Sequence, residues 1–205
     1  MFKINTVEFD CRHKLFFAVE EHRECRRGYL GDGSFATVYS LDDPNVVLKI
    51  STGNDAGYLA FLKTLEQLQV SNRHLPVIHS VTHFRLSDKA REEFLEKHGS
   101  YLWSECIVTY MERLKQPPKS LRGRAGQLGR AAPVGKWAKI ISDYVSRDSQ
   151  YMAHLSDEHQ ELITFLKIAL EFYLQDIGES YGWFDLHRGN AMLRGKTIVV
   201  TDPLA

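Results

Sequence analysis

The chain has 205 residues, 43% of them hydrophobic and 25% charged, with 26 Lys and Arg balanced by 26 Asp and Glu. That length suits one full domain or two small lobes, and a net charge of zero (His neutral) excludes a bulk electrostatic pull toward nucleic acid or membrane. The longest apolar runs fall far short of the roughly 20 residues of a membrane span. The opening stretch MFKINTVEFDCRHK lacks the apolar core of a signal peptide. Cys11, Cys25 and Cys106 are odd in number and without metal-ligand spacing, so they read as reduced thiols of a cytoplasmic protein.

In chain order, a short strand is expected over 2–9 and a helix near 14–26. Residues 29–50 read as strand, turn, strand. YLGDGSFATVYSL carries a glycine turn, DDPN a second turn, and VVLKI is a buried strand. Over 55–69, Tyr58, Phe61, Leu62, Leu65 and Leu68 recur at helical spacing, with Asp55 placed to cap the N-terminus. LPVIHSVTHFRL and YLWSECIVTYMERL are two more strands. Residues 113–133 are rich in Pro, Gly, Lys and Arg and read as an exposed connection. A helix is expected over 137–153 and a stronger one over 157–178. In the latter, Leu162, Ile163, Leu166, Ala169, Leu170, Tyr173 and Ile177 form one apolar stripe behind an acidic first turn. TIVV is a last buried strand. Strands first and helices second give an α+β pair of lobes, 1–112 and 113–205.

Three features carry chemistry. Gly31 and Gly33 in LGDGSFATV allow a tight turn and let backbone N–H groups approach an anion. A plain hairpin would show the same pattern. Lys49 lies within a β-branched run, where an ammonium needs an anionic partner or a place at the sheet edge. Asp185, then Asn190 five residues on and Asp202 twelve beyond, offer a carboxylate for a nucleophile plus an amide and a carboxylate as hard oxygen ligands. TIVV would deliver Asp202 at its end.

The order glycine turn, strand lysine, helix, two strands, connection, helix, D-x-x-x-x-N, strand, D resembles the protein kinase-like superfamily. LGDGSFATV is similar to the kinase glycine-rich loop, with Ala36 at the third glycine; VVLK is similar to the V-A-I-K strand and DLHRGN to the catalytic loop, and TDPL stands where D-F-G would. The resemblance implies a two-lobed kinase-like fold, with a β-rich N-lobe and a reduced helical C-lobe ending at the D-F-G equivalent. It implies ATP and Mg2+ as cofactors. Asp185 would orient or deprotonate the substrate hydroxyl, Asn190 and Asp202 would bind Mg2+, and Lys49 would hold the α- and β-phosphates. Leu30, Gly31, Gly33, Ser34 and Val38 would line the nucleotide. VTYMERL resembles the hinge, which puts the Met111 backbone at the adenine and Met192 beneath it. Glu66 is the helix acid expected to pair with Lys49, with Asp55 as the other candidate. His187 joins the catalytic set where protein kinases usually carry a lysine.

Within that superfamily the chain looks most like the early serine/threonine kinases of T-seven-like lytic bacteriophages, from about Leu30 to Asp202 with gaps. The shared pattern includes Tyr39-Ser40, N-x-V-x-K ending at Lys49, Ala60-Phe61, D-x-H-x-G-N-x-M and a closing TDP. That likeness implies host bacterial proteins as substrates, transcription machinery among them, in the host cytoplasm. No membrane and no direct nucleic-acid contact are expected. The apolar flank of the 157–178 helix is expected to pack either on the 137–153 helix or on a partner chain, a homodimer being one way to cover a reduced lobe.

The departures have consequences. Trp183 and Phe184 replace the His and Arg before the catalytic Asp, so the usual pairing with an activation-loop phosphate is missing. The sequence stops at Leu204-Ala205, where that loop would begin, and Pro203 restricts Asp202. A constitutively assembled minimal kinase is the expectation. Three alternatives stay open: a degenerate pseudokinase, a kinase-shaped protein that inhibits a host factor by binding it, and a small-molecule phosphotransferase. The last rests on DLHRGN, which also resembles the loop of aminoglycoside- and choline-type phosphotransferases. Between 113 and 147 stand nine Lys or Arg, Arg122, Arg124 and Arg130 among them, and one acid, Asp143. They form either a docking surface for an acidic partner or a solvated loop.

Overall fold

The computed structural model describes residues 2–52, 55–98, 104–117, 133–145, 155–178 and 190–204. Its elements run β1 (Ile4–Phe9), α1 (Arg12–Glu24), β2 (Gly28–Asp32), β3 (Ala36–Ser40), β4 (Val46–Thr52), α2 (Ala56–Leu68), β5 (Ile78–Leu86), α3 (Asp88–His98) and β6 (Glu105–Glu112). There follow α4 (Pro133–Val145), α5 (Asp157–Ile177), β7 (Ala191–Arg194) and β8 (Thr197–Val200). The class is α+β, and the chain forms two compact units, Met1–Asp55 with Val77–Arg113 and Ala56–Pro76 with Leu114–Ala205. By its contacts α2 belongs to the second unit, whereas a division after residue 112 assigns it to the first.

The first unit is a six-stranded sheet in the order β1-β5-β6-β4-β3-β2. β1 runs parallel to β5 and the other pairs are antiparallel. β4 is central and buried from Val47 to Ser51, which explains why VVLKI is apolar at every position but Lys49. One face of the sheet carries Leu48, Ile50, Phe84, Leu86, Cys106 and Val108, packed with Leu15 and Val19 of α1. Ala90 and Phe94 of α3 join the same cluster. Burial pushes the Cys106 thiol up to about 12, so it serves as a neutral core side chain.

Helix α3 had no counterpart in the sequence expectations. DKAREEFLEKH has no continuous apolar stripe, and its start is set locally. The Ser87 carbonyl accepts from Arg91 N–H at 2.8 Å and the Ser87 Oγ from Ala90 N–H at 3.5 Å. Asp88 lies in the first turn, and Lys89 and Glu93 are 4.0 Å apart one turn on.

In the second unit α2 packs along α5. Phe61 meets Phe165 edge-on with ring centroids 5.7 Å apart, and Lys63 Nζ lies 2.6 Å from Asp176. Gly57, Tyr58, Ala60, Phe61, Leu62, Thr64 and Leu65 are all buried, a much wider band than a single stripe. α4 starts at Pro133, four residues before the expected 137, because proline suits the first helical position. β7 and β8 form a hairpin closed by Gly195-Lys196. Gly195 has φ 63° while Lys196 stays at negative φ, the pattern of a type II′ turn. Among the described residues no helix is long and apolar enough to cross a membrane.

Two backbone positions, one on α2 and one just past its end, give opposite expectations. A Cβ on Gly57 would sit 2.6 Å from the Leu204 carbonyl oxygen. Helix propensity favours Ala by about 1 kcal/mol. Forcing two backbones apart costs about 1–3 kcal/mol and wins, so Gly57→Ala should lower stability. Gln69, just past the helix, sits at φ 51°, a region where a side chain is strained. Gln69→Gly should raise stability by about 1 kcal/mol. Urea unfolding midpoints of the two variants check both signs.

Candidate functional site

The register of the first unit places several candidate residues on one sheet face. Gly31 lies opposite Val38, Val38 opposite Lys49, Lys49 opposite Thr109, and Thr109 opposite Val81. Directly opposed residues share a face. This row therefore lies on the face away from α1, and Val47 and Met111 form the next row on that face. Buried polar groups gather here: Lys49 at 7% exposure, Ser51 and Thr109 at 0%, and His83, which meets Glu105 at 3.0 Å. Ser51 Oγ and Thr109 Oγ1 have no hydrogen-bond partner among the described residues. Neither was singled out from sequence, because a lone Ser or Thr in a strand gives no signal until register shows its neighbours.

The glycine turn is a hairpin with Ser34 and Phe35 at its tip. Gly33 N–H donates to the Ala36 carbonyl at 2.8 Å. Thr52, at the end of β4, donates its N–H and hydroxyl to the Phe35 carbonyl at 2.8 and 3.2 Å. Leu30 falls at a bulge between Tyr29 and Gly31 and is 38% exposed. Neither Gly31 nor Gly33 has the left-handed φ that demands glycine, and a Cβ at either would meet nothing within 4 Å. Nothing in the fold itself requires glycine at these two places. What glycine supplies there is bare backbone that a ligand can approach.

Met111 is buried in β6, opposite Val47 and Ile78. Glu112 N–H donates to the Val77 carbonyl at 3.0 Å, and Arg113 N–H to the Asn45 carbonyl at 2.6 Å. Ladder groups alternate sides, so the Met111 N–H and C=O are directed at β4. The chain leaves the sheet only after Arg113.

In the second unit the open end of the β7–β8 hairpin gathers the two oxygen donors. Thr201 N–H and Oγ1–H both donate to the Asn190 carbonyl, at 2.9 and 3.1 Å. Asn190 and Asp202 thus flank the same hairpin end. Pro203 and Leu204 are buried beyond it, with Leu204 against Gly57. Met192 lies in β7 opposite Val199. Glu66 is half-buried on α2, while Asp55 is 6% exposed. Asp185 and His187, with Trp183 and Phe184, lie outside the described residues, as do Arg122, Arg124 and Arg130. Among the described residues no group of three or more His, Cys, Asp or Glu gathers as a metal site. Asn190 and Asp202 are a smaller set of hard donors that fits Mg2+ when phosphate oxygens and water complete the shell.

Behind the hairpin, residues 72–75 join three elements. His74 Nδ1–H donates to the Ile198 carbonyl at 2.7 Å, and Asn72 Nδ2 donates to Glu161 at 2.7 Å. The His74 ring stacks near Trp137 of α4 and His159 of α5, with centroids 5.4 and 4.8 Å away. Trp137 Nε1–H donates to His159 Nε2 at 3.2 Å, and Ser156 Oγ lies 2.7 Å from His159 Nδ1. His159 must be neutral to accept the indole proton. Burial, then the nearby His74 and Arg73, hold its pKa below the ordinary value, against the pull of Glu158.

No protein-family model and no curated protein matches the chain.

The histidine geometry predicts acid lability. Above the ordinary imidazole pKa of 6.5 the stabilising contribution of neutral His159 is fully present. Below it the unfolded chain takes up the proton first, so stability falls until the lower folded value is passed. His22, its pKa lowered by burial while it sits 3.0 Å from the Tyr110 hydroxyl, acts in the same direction. Urea midpoints should drop between pH 7.5 and 5, and His159→Gln should flatten the drop.

Proposed function

We propose that this chain is a Mg-ATP-dependent serine/threonine protein kinase of the phage type, which transfers the γ-phosphate of ATP to host proteins during infection. The observation that carries the reading is the row Gly31–Val38–Lys49. It joins Gly31, a glycine the fold does not require, to a buried ammonium on one sheet face, with Gly33, equally unconstrained, two residues further along the same turn. In this reading the backbone at Gly31, Gly33 and Ser34, with Lys49, holds the phosphates. Leu30 and Val38 cover the base and Met192 lies beneath it. The Met111 N–H and C=O, expected to meet the adenine edge, face β4 instead, so in this reading that edge is met where the chain leaves the sheet after Arg113. Asn190 and Asp202 hold Mg2+, which neutralises phosphate charge when bound. Asp185 orients the substrate hydroxyl and takes its proton as the new ester bond forms and ADP leaves, with His187 beside it. Glu66 or the more buried Asp55 balances Lys49. The host cytoplasm is the place of action, and host transcription machinery is among the substrates.

Two measurements test this. Mg-ATP at about one hundred times Kd should add about 2.7 kcal/mol of stability, seen as a raised melting temperature that needs nucleotide and metal together. In the double variant Gly31→Ala/Gly33→Ala the unliganded protein should be as stable as wild type or slightly more so. The Mg-ATP shift should be lost. An equal shift in both proteins would refute the glycine assignment. Asp185→Asn should bind Mg-ATP normally and fail to label a bacterial lysate from γ-labelled ATP. Wild-type protein that binds Mg-ATP yet labels nothing would point to the kinase-shaped inhibitor.

A further inference from the structure

Three consecutive backbone carbonyls, of Arg73, His74 and Leu75, accept hydrogen bonds from the β7–β8 hairpin. Arg194 Nη1 donates to the Arg73 carbonyl at 3.0 Å and Nη2 to the Leu75 carbonyl at 3.0 Å. Val200 N–H donates to the His74 carbonyl between them at 2.8 Å. The same His74 returns a bond through Nδ1–H to the Ile198 carbonyl at 2.7 Å. On the other edge β7 pairs with Lys115, whose N–H donates to the Leu193 carbonyl at 2.9 Å and whose carbonyl accepts from Leu193 N–H at 2.8 Å. The hairpin is therefore held along both strands. At its open end the Thr201 hydroxyl and N–H close on the Asn190 carbonyl, one residue before Asp202.

We infer that Arg194 and Thr201 are positioning residues for a divalent cation, acting through Asn190 and Asp202. The inference rests on the nucleotide reading above and adds to it the groups that set metal affinity. The guanidinium fork spans two carbonyls two residues apart, which one ammonium cannot do. It fixes the strand that leads back to Asn190. Thr201 fixes the spacing between the two ligand-bearing residues. Neither side chain would itself be a ligand. Groups that orient metal ligands in this way alter affinity by about 10–100-fold when removed.

The test reads metal binding, not activity. Mn2+ is titrated into the full chain at a fixed ATP concentration, and free Mn2+ is followed by electron paramagnetic resonance. The proteins compared are wild type, Arg194→Lys, Arg194→Ala and Thr201→Val. Each variant should bind ATP in excess chelator as wild type does and need at least about tenfold more Mn2+ for half-saturation. Arg194→Lys should resemble Arg194→Ala, because charge without the fork does not span both carbonyls. Thr201→Val keeps a β-branched shape and loses only the hydroxyl bond, so it decides the matter even if the Arg194 variants do not fold. Mn2+ curves that superimpose on wild type would overturn the inference while leaving the nucleotide reading intact. A wild-type chain that takes up no Mn2+ with ATP would overturn that reading, and this inference with it.

Discussion

A single ammonium group buried in the middle of a sheet constrains the whole first unit. Lys49 is 7% exposed on β4, with strands on both sides. A buried charge is tolerated only beside opposite charge and hydrogen-bonding groups. It must therefore lie away from the apolar cluster, and the neighbouring residues obey that division. Leu48 and Ile50 enter the cluster under α1, while Lys49 and Ser51 face the other way. A slip of one residue in register would drive Lys49 among Phe84, Val108 and Leu15. The lysine thus acts as a register pin for β3, β4 and β6. The same register carries Gly31 and Val38 into line with it.

The second unit is organised by backbone instead of side-chain charge. Residues 72–75 connect α2 to the sheet and make no regular structure of their own. Asn72, His74 and Leu75 are buried, and buried backbone groups need partners. The hairpin provides them through Arg194 and Val200. Asn72 reaches α5 by donating to the Glu158 carbonyl and the Glu161 carboxylate. One short segment thereby ties α5 to the strand pair that ends at Asp202. The His74–Trp137–His159 stack adds α4 to the same assembly and makes it sensitive to acid.

What could be read from the sequence follows the range of the forces involved. The strands of the sheet and helices α1, α2 and α5 fall within a few residues of expectation, because burial leaves a periodic trace. Helix α3 left none: it rests on a Ser87 cap and charge spacing, and only Phe94 and Ala90 reach the core. β7 had no counterpart in the sequence expectations although AMLR-GK-TIVV has the form of a two-residue hairpin, because its four residues include no β-branched or aromatic side chain. The parallel pairing of β1 with β5 joins residues 77 positions apart, for which local pattern offers no clue. The positioning bonds of Arg194 are of the same kind. An arginine that serves two distant carbonyls looks in sequence like any surface arginine. The burial of α2 is wider than its pattern implies for a related reason: the stripe of five large residues hides the small Gly57 that lets Leu204 close against it.

The glycines separate structural need from other use. Gly195 is set by its φ and Gly57 by a backbone that leaves no room for a Cβ. Gly31 and Gly33 meet neither condition, and each gives up the roughly 0.4–1 kcal/mol that alanine would recover through a less flexible unfolded chain. Asp202 shows the converse arrangement. It is fixed from both sides, by Thr201 on the Asn190 carbonyl and by Leu204 against Gly57. The backbone that bears Asp202 is therefore fixed on both sides, which is what the proposed role as a Mg2+ ligand would require of it.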